Sequence, residues 1–320
     1  MFLKLFIRIL AIFSMALMGA IAYRMRVLDK QTLRRLSVTL TNFFYPALIF
    51  STLVGAFSVA GLLKNWPLPA GAFMIMSIGY LYGVASLRFF HFRNEKEKGV
   101  FLFQSTISNY SFLPLPIVLM FWGTAGVAAL ILSALGSEIA VWTIGVLGLT
   151  GNRFRKESLK HLMNAPIFSI VLSFVVIGIA GVPGLSSSLF FANRVSREIG
   201  SSLMSVIDMF GKATVPISMF VVGGWMADLK PGHFFNAKQL YLAALRLVVI
   251  PASVIGLLNF FPSEGYIRPV LGMVAIMPTA LASVVLSEVY GGDTEFAAAG
   301  VFITHLFSLI TIPVWLTLFL

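Results

Sequence analysis

There is no cysteine among these 320 residues, which excludes disulfide frameworks, thiolate metal sites and cysteine nucleophiles together. Charge is scarce as well. Only 11% of the residues are Asp, Glu, Lys or Arg, against roughly a quarter in a soluble domain, so one water-soluble globule is excluded. No G-x-x-x-x-G-K-[ST] run occurs, and no loop is long enough for a nucleotide-binding domain. Energy for any vectorial process must then come from a gradient, unless another subunit supplies it. His-Glu-x-x-His, Gly-x-Ser-x-Gly and closely paired aspartates within apolar segments are also missing, which leaves an embedded enzyme without a constellation. No cofactor or metal is implied.

What the chain does contain is apolar: 58% of its residues, with a mean hydropathy of +0.94. At roughly 20 residues per membrane span, ten segments emerge, near 5–23, 36–57, 66–89, 100–122, 124–150, 163–180, 200–227, 238–260, 266–290 and 294–319. Lys4 and Arg8 ahead of an apolar run ending Ala20-Ile21-Ala22 have the outline of a signal peptide. The basic residues directly after it, Arg24, Arg26, Lys30, Arg34 and Arg35, fit a retained span with a cytoplasmic stop instead. The net charge of +11 has a topological reading. Fifteen Lys and Arg fall in the loops after the odd-numbered spans and six on the opposite side, so both termini are expected outside a cytoplasmic membrane. The excess of basic residues gives no evidence for nucleic acid.

The segments repeat. Pro46-Ala47-Leu48-Ile49-Phe50 in span 2 matches Pro216-Ile217-Ser218-Met219-Phe220 in span 7, each followed by glycine. Spans 4 and 9 both contain proline and run into Gly123 and Gly291-Gly292. This pairs residues 1–150 with 163–320 through a cytoplasmic linker, 151–162. Five spans per half force the halves to enter from opposite sides, giving an all-α polytopic membrane protein of two inverted five-helix repeats.

Span 4 reads Gln104-Ser105-Thr106-Ile107-Ser108-Asn109-Tyr110-Ser111-Phe112-Leu113-Pro114-Leu115-Pro116, and span 9 contains Met277-Pro278-Thr279-Ala280-Leu281-Ala282-Ser283. Two prolines so close cannot sit inside an unbroken helix, and freed carbonyls with polar side chains are not tolerated against lipid. Helices 4 and 9 are therefore expected to be broken and to cross, lining a cavity or buried in protein; packing kinks are the alternative. Asn109, Ser111, Thr279 and Ser283 supply hydrogen bonds there, and broken-helix N-termini supply positive potential suited to an anion. Pro46 and Pro216, alone in apolar spans, read more readily as packing kinks. Asn42 and Lys212, each four residues before one of these prolines, lie beside the carbonyl it frees.

Ionisable residues at membrane depth are functional candidates by default. Asp208 and Lys212, four apart, form either a structural pair or a coupling site. Glu138 is either a proton carrier or a carboxyl bonded across a helix interface. His305 is either a proton site or a structurally satisfied histidine. Arg246, five before Pro251, either snorkels or neutralises an acidic residue.

Residues 41–50, 109–116 leading to Phe121-Trp122-Gly123, 216–220 leading to Gly223, 277–280 leading to Glu288-Val289-Tyr290-Gly291-Gly292-Asp293, and Ser308 to Trp315 together resemble the bacterial members of the auxin efflux carrier family. The resemblance implies ten spans in two inverted halves, akin to the bile acid symporter and sodium/proton antiporter architecture, with a scaffold part and a transport part. It implies elevator-like transport of organic anions, a homodimer, a substrate contact at Asn109, and crossover positions at Pro116 and Pro278. Two departures stand out: bulky Tyr110 and Phe112 replace a glycine-rich lead, and Ala282-Ser283 stand where the family often has asparagine.

The expected function is a secondary transporter, a permease or efflux carrier, for a small organic anion such as a carboxylate. The crossover regions carry no acidic residue of their own, which favours protons or no coupling ion over sodium. The alternative is a membrane ligand sensor using the same cavity without transport. An amphipathic stretch at 186–199 is a further candidate, for an interfacial helix.

Overall fold

The computed structural model describes residues 2–151, 163–181, 194–228, 236–261 and 264–319. Most of the expected linker, 152–162, and the first part of the amphipathic stretch, 186–193, lie outside the described residues. Residues 194–199 open a longer helix, Arg194–Lys212, with no separate interfacial element at that point.

Among the described residues the chain is almost entirely helical and has no sheet. Seven helices are long and apolar enough to cross a membrane: Phe2–Arg24, Lys30–Ala56, Val59–Phe89, Pro114–Leu149, Glu198–Asp228, Ala237–Leu258 and Thr294–Phe319. The other expected segments differ in detail. Residues 163–180 form a 16-residue helix, Ala165–Ala180. Segments 100–122 and 266–290 are each two helices separated by a non-helical stretch. The boundary expected near 123 is a single non-helical glycine, Gly123, with φ 60° and ψ −159°, a conformation open essentially to glycine alone.

In chain order the helices are α1 (Phe2–Arg24), α2 (Lys30–Thr39), α3 (Tyr45–Ala56), α4 (Val59–Lys64), α5 (Pro67–Ser86), α6 (Glu95–Thr106), α7 (Pro114–Ala140), α8 (Val146–Leu149), α9 (Ala165–Ala180), α10 (Arg194–Lys212), α11 (Thr214–Asp228), α12 (Ala237–Ala244), α13 (Ile250–Leu258), α14 (Ile267–Ile276), α15 (Ala282–Tyr290) and α16 (Thr294–Phe319). Short polar residues start many of them. The side chains of Asp29, Asn94, Asn164, Asn236 and Asp293 accept from the amides of Thr32, Glu97, Ile167, Gln239 and Phe296, each meeting one of the donors a helix start leaves open.

The prolines are absorbed in two ways. Pro46 and Pro251 each follow a π-helical turn, Leu40–Phe44 and Leu245–Val249. The wider turn makes room for a ring that would strike the carbonyl four residues back. For Pro251 that carbonyl, on Leu247, is met by the Trp315 indole at 2.7 Å. Pro216 instead lies in the first turn of α11, after α10 has ended at Lys212, where a missing N–H costs little.

Two groups of helices result. Helices α1, α3, α9, α10 and α11 pack largely on one another, and α5, α6, α7, α12, α14, α15 and α16 form the other group, the two meeting chiefly where α1 touches α16 and α3 touches α7. The closest approach lies in the first group. A Cβ on Gly223 would fall 1.6 Å from the Ala16 carbonyl, and one on Gly19 1.8 Å from that of Phe220. The backbones of α1 and α11 therefore touch, as small residues permit between membrane helices. The outward side of α1 carries Leu3, Ile7, Leu10, Leu17 and Met18, an apolar surface suited to lipid.

Candidate functional site

The two interrupted elements meet at their interruptions. Helix α6 ends at Thr106 and α7 begins at Pro114, while α14 ends at Ile276 and α15 begins at Ala282. Pro114 and Pro116 stand in the first turn of α7, where prolines start a helix and do not kink it. Pro278 holds the residue before it extended, Met277 at φ −70° and ψ 146°, as a residue preceding proline tends to be. The two stretches pair as an isolated antiparallel bridge between Ser108 and Thr279. The Asn109 amide donates to the Pro278 carbonyl at 2.8 Å, and the Ala280 amide to that of Ile107 at 3.0 Å. Backbone groups released by the breaks thus satisfy one another, which their depth in the protein requires.

Side chains complete the crossing. Asn109 is buried, and its Nδ2 lies 3.3 Å from His305 Nε2 on α16. His305 Nδ1 is 2.9 Å from the Val301 carbonyl. A carbonyl only accepts, so Nδ1 carries the hydrogen and Nε2 accepts from Asn109. Beside them the Tyr110 hydroxyl donates to Glu138 Oε1 at 2.7 Å and the Trp142 indole to Oε2 at 3.1 Å. The Tyr45 hydroxyl reaches Ser111 Oγ at 3.4 Å. Thr279 and Ser283 are buried; Thr279 Oγ1 lies 3.4 Å from the Ile107 carbonyl, and Ser283 Oγ accepts from Gln104 Nε2 at 2.9 Å.

Asn109, Ser111, Thr279, Pro278, His305 and Glu138, scattered in the chain, are thereby brought to one region. Asp208 and Lys212 are not. They pair with each other at 2.6 Å on an exposed part of α10. Asn42 and Pro216 are exposed, and Pro46 gives its carbonyl to Ser169 Oγ at 2.7 Å.

Arg246 departs from both roles read from the sequence. It has no solvent exposure, so it does not snorkel, and none of the ion pairs among the described residues includes it. Its Nε donates to the Met277 carbonyl at 3.1 Å and its Nη2 to that of Ala275 at 3.3 Å. These carbonyls close α14, where a helix leaves acceptors open and carries partial negative charge. Gln104 is the residue to which the sequence reading gave no role. Besides Ser283, its Nε2 reaches the Ala297 carbonyl at 2.7 Å, tying α6 to α16. Its amide at the head of the polar run was the available signal. By contrast, the Ser105 and Thr106 hydroxyls bond back to the Leu102 carbonyl of their own helix, so part of that run is local.

Two clefts flank the crossing without reaching it. One of about 450 Å³ lies at the start of α6 among Arg93, Glu97, Lys238, Gln239 and Glu295. The other, about 310 Å³, lies among Phe57, Lys64, Ala125, Ala129, Glu264 and Tyr266. In the first, Glu97 accepts from Lys238 Nζ at 2.8 Å and from the Arg93 amide at 2.6 Å. Burial alone would raise its carboxyl, but those donors and the two cations together hold it below the ordinary value.

Comparison with known proteins places the chain among membrane transporters. The family model described as membrane transport protein matches residues 4–157 and 150–316. The chain is 26% identical over 315 residues to an uncharacterized transporter of Methanocaldococcus jannaschii, the match covering 96% of each chain. It is 22% identical over 316 residues to an uncharacterized transporter of Methanothermobacter thermautotrophicus, again 96% of each. Over 168 residues, 50% of this chain and 35% of the other, it is 24% identical to protein PIN-LIKES 2 of Arabidopsis thaliana.

Proposed function

We propose, on the premise that the chain belongs to the membrane transport protein family of the auxin efflux carrier type, that it is a secondary transporter of a small organic anion carrying a carboxylate. The observation that carries this reading is the bridge between the two interrupted helices. It gathers Asn109, Ser111 and Thr279 where the α7 and α15 N-termini end, so hydrogen-bond donors and positive helix ends share one region.

In this reading the chain forms ten spans in two inverted halves, 1–150 and 163–320, with both termini outside the cytoplasmic membrane. The short helix Ala165–Ala180 and the two interrupted elements then complete the set that the seven longer helices begin. The group holding the crossing is the moving part and the group around α1 and α11 the scaffold, in a homodimer. That division is supported by the tight α1–α11 backbone contact and by the limited contact between the groups. Movement of one against the other would expose the crossing alternately to each side, an elevator.

Flux into proteoliposomes tests the reading. Saturable uptake of labelled mono- or dicarboxylates that responds to a gradient is expected. Binding without flux would assign a sensor in its place. Asn109→Ala should lower carboxylate uptake at least about tenfold, because a buried donor is removed from the crossing; undiminished uptake and affinity would remove Asn109 from the binding site.

A further inference from the structure

Arg246 places a whole positive charge beside the crossing and uses only part of its hydrogen-bonding capacity there. A guanidinium has five N–H donors in a planar fork. Nε and Nη2 share one edge of that fork, and the edge is closed on the carbonyls of Met277 and Ala275. Nη1 is buried and, among the described residues, has no hydrogen-bond partner. Together with the second hydrogen of Nη2 it forms the end-on edge, two parallel donors spaced to match the two oxygens of a carboxylate. The carbonyl dipoles at the end of α14 balance only a fraction of a charge. A buried cation without a full counter-charge is strongly unfavourable unless an anion meets it.

We propose that Arg246 binds the carboxylate of the transported anion, its side-on edge anchored to the crossing and its end-on edge presented to the substrate. This rests on the reading of the protein as a carboxylate transporter. Position supports it. Met277, held by the guanidinium, directly precedes Pro278, whose carbonyl accepts from the Asn109 amide. Arg246 and Asn109 are thus tied to adjacent residues of one extended stretch, the first supplying charge and the second a neutral amide. Asn109, Ser111, Thr279 and Ser283 alone would bind a carboxylic acid amide as readily as a carboxylate. The guanidinium separates the two. It lies outside both clefts and has no exposure, so the anion reaches it only as the packing around the crossing opens, the step that alternating access demands.

The test uses the full chain in proteoliposomes, with labelled succinate, malonate and benzoate as probes and with benzamide and chloride as competitors. Arg246→Gln keeps an amide donor near the position of Nε and loses the charge; carboxylate uptake should fall about 100-fold. Arg246→Lys keeps the charge and loses the fork; its KM should rise about tenfold. Both should melt within a few degrees of the native protein when no carboxylate is present, which separates loss of binding from loss of fold. Competition with uptake by benzamide or chloride as strong as by unlabelled benzoate would overturn the assignment. If the native protein moves the probes and Arg246→Gln moves them with unchanged KM, Arg246 only clamps the helix end and the inference falls alone. If Arg246→Gln does not fold, Arg246→Lys decides: a raised KM supports the proposal and an unchanged one overturns it. If the native protein neither binds nor moves any of the probes, the inference and the transporter reading fall together.

Discussion

The two interrupted helices solve one problem with different side chains. At the first break, residues 107–113 carry Asn109, Tyr110 and Ser111, whose partners are His305, Glu138 and Tyr45 from other helices. At the second, residues 277–281 offer little beyond Thr279, and the helix end before them is held by the guanidinium of Arg246. A carboxyl group supports one break and a cation the other. A break rich in side chains can be tied by neighbours of either kind, whereas one that offers chiefly carbonyls needs a multivalent donor, and arginine is the side chain with the most.

The largest effect should follow from emptying the second support. Arg246→Ala leaves two buried carbonyls without donors and should lower stability by about 2–5 kcal/mol, the lost hydrogen bonds outweighing the relief of an unbalanced buried charge, read as thermal unfolding in detergent. A loss under about 1 kcal/mol would mean the second break stands without its cation, since that is the size of one ordinary hydrogen bond. Next comes the packing of the two entering helices. A Cβ on Gly79 would lie 2.5 Å from the Ser105 carbonyl at the end of α6, while one on Gly272 in α14 would meet only the Phe319 ring, at 3.2 Å. Backbone cannot yield as a ring can, so Gly79→Ala should cost about 1–3 kcal/mol and Gly272→Ala clearly less. Equal costs would show that the two breaks are packed alike.

Glu138→Gln should be milder. It keeps an acceptor for Tyr110 but turns an amide donor toward the Trp142 indole or the Tyr110 hydroxyl, a loss of about 1 kcal/mol. If Glu138 carries a proton during transport, the variant's uptake loses its pH dependence; unchanged dependence would leave the carboxyl a structural partner of Tyr110. The smallest effect concerns Glu97, at the other end of α6. Its folded-state carboxyl lies below its ordinary value, so its contribution is complete above the unfolded-state value near 4.5 and is lost as pH falls through the folded-state value. Unfolding of the native protein should therefore steepen in acid more than that of Glu97→Gln. Parallel curves would show that the Lys238 and Arg93 contacts add nothing.

Much of this arrangement was legible in the chain. Prolines at 114, 116 and 278 fall where backbone donors are missing, so the interruptions could be placed to within a few residues by covalent geometry alone. Gly123 and Gly291, with φ of 60° and 71°, mark the turns that follow each interrupted element. Asp208 and Lys212 illustrate the opposite case. Their i, i+4 spacing showed that they could pair, and they do, but spacing cannot reveal which way a helix faces, and theirs turns outward. His305 and Asn109 are 196 residues apart in the chain, and no local pattern joins them.

By itself the sequence determined that the chain belongs in a membrane, because so many apolar residues and so few charges leave no soluble alternative. It also determined where its helices must break, because proline acts on its own backbone and on the turn before it. What only the tertiary structure decided is how the broken ends are satisfied: that Ser108 pairs with Thr279, that Asn109 reaches His305, and that Arg246 closes α14 and pairs with no carboxylate among the described residues. Those choices depend on which helices lie side by side, and a buried polar group takes whatever partner packing brings within about 3 Å, however distant in the chain.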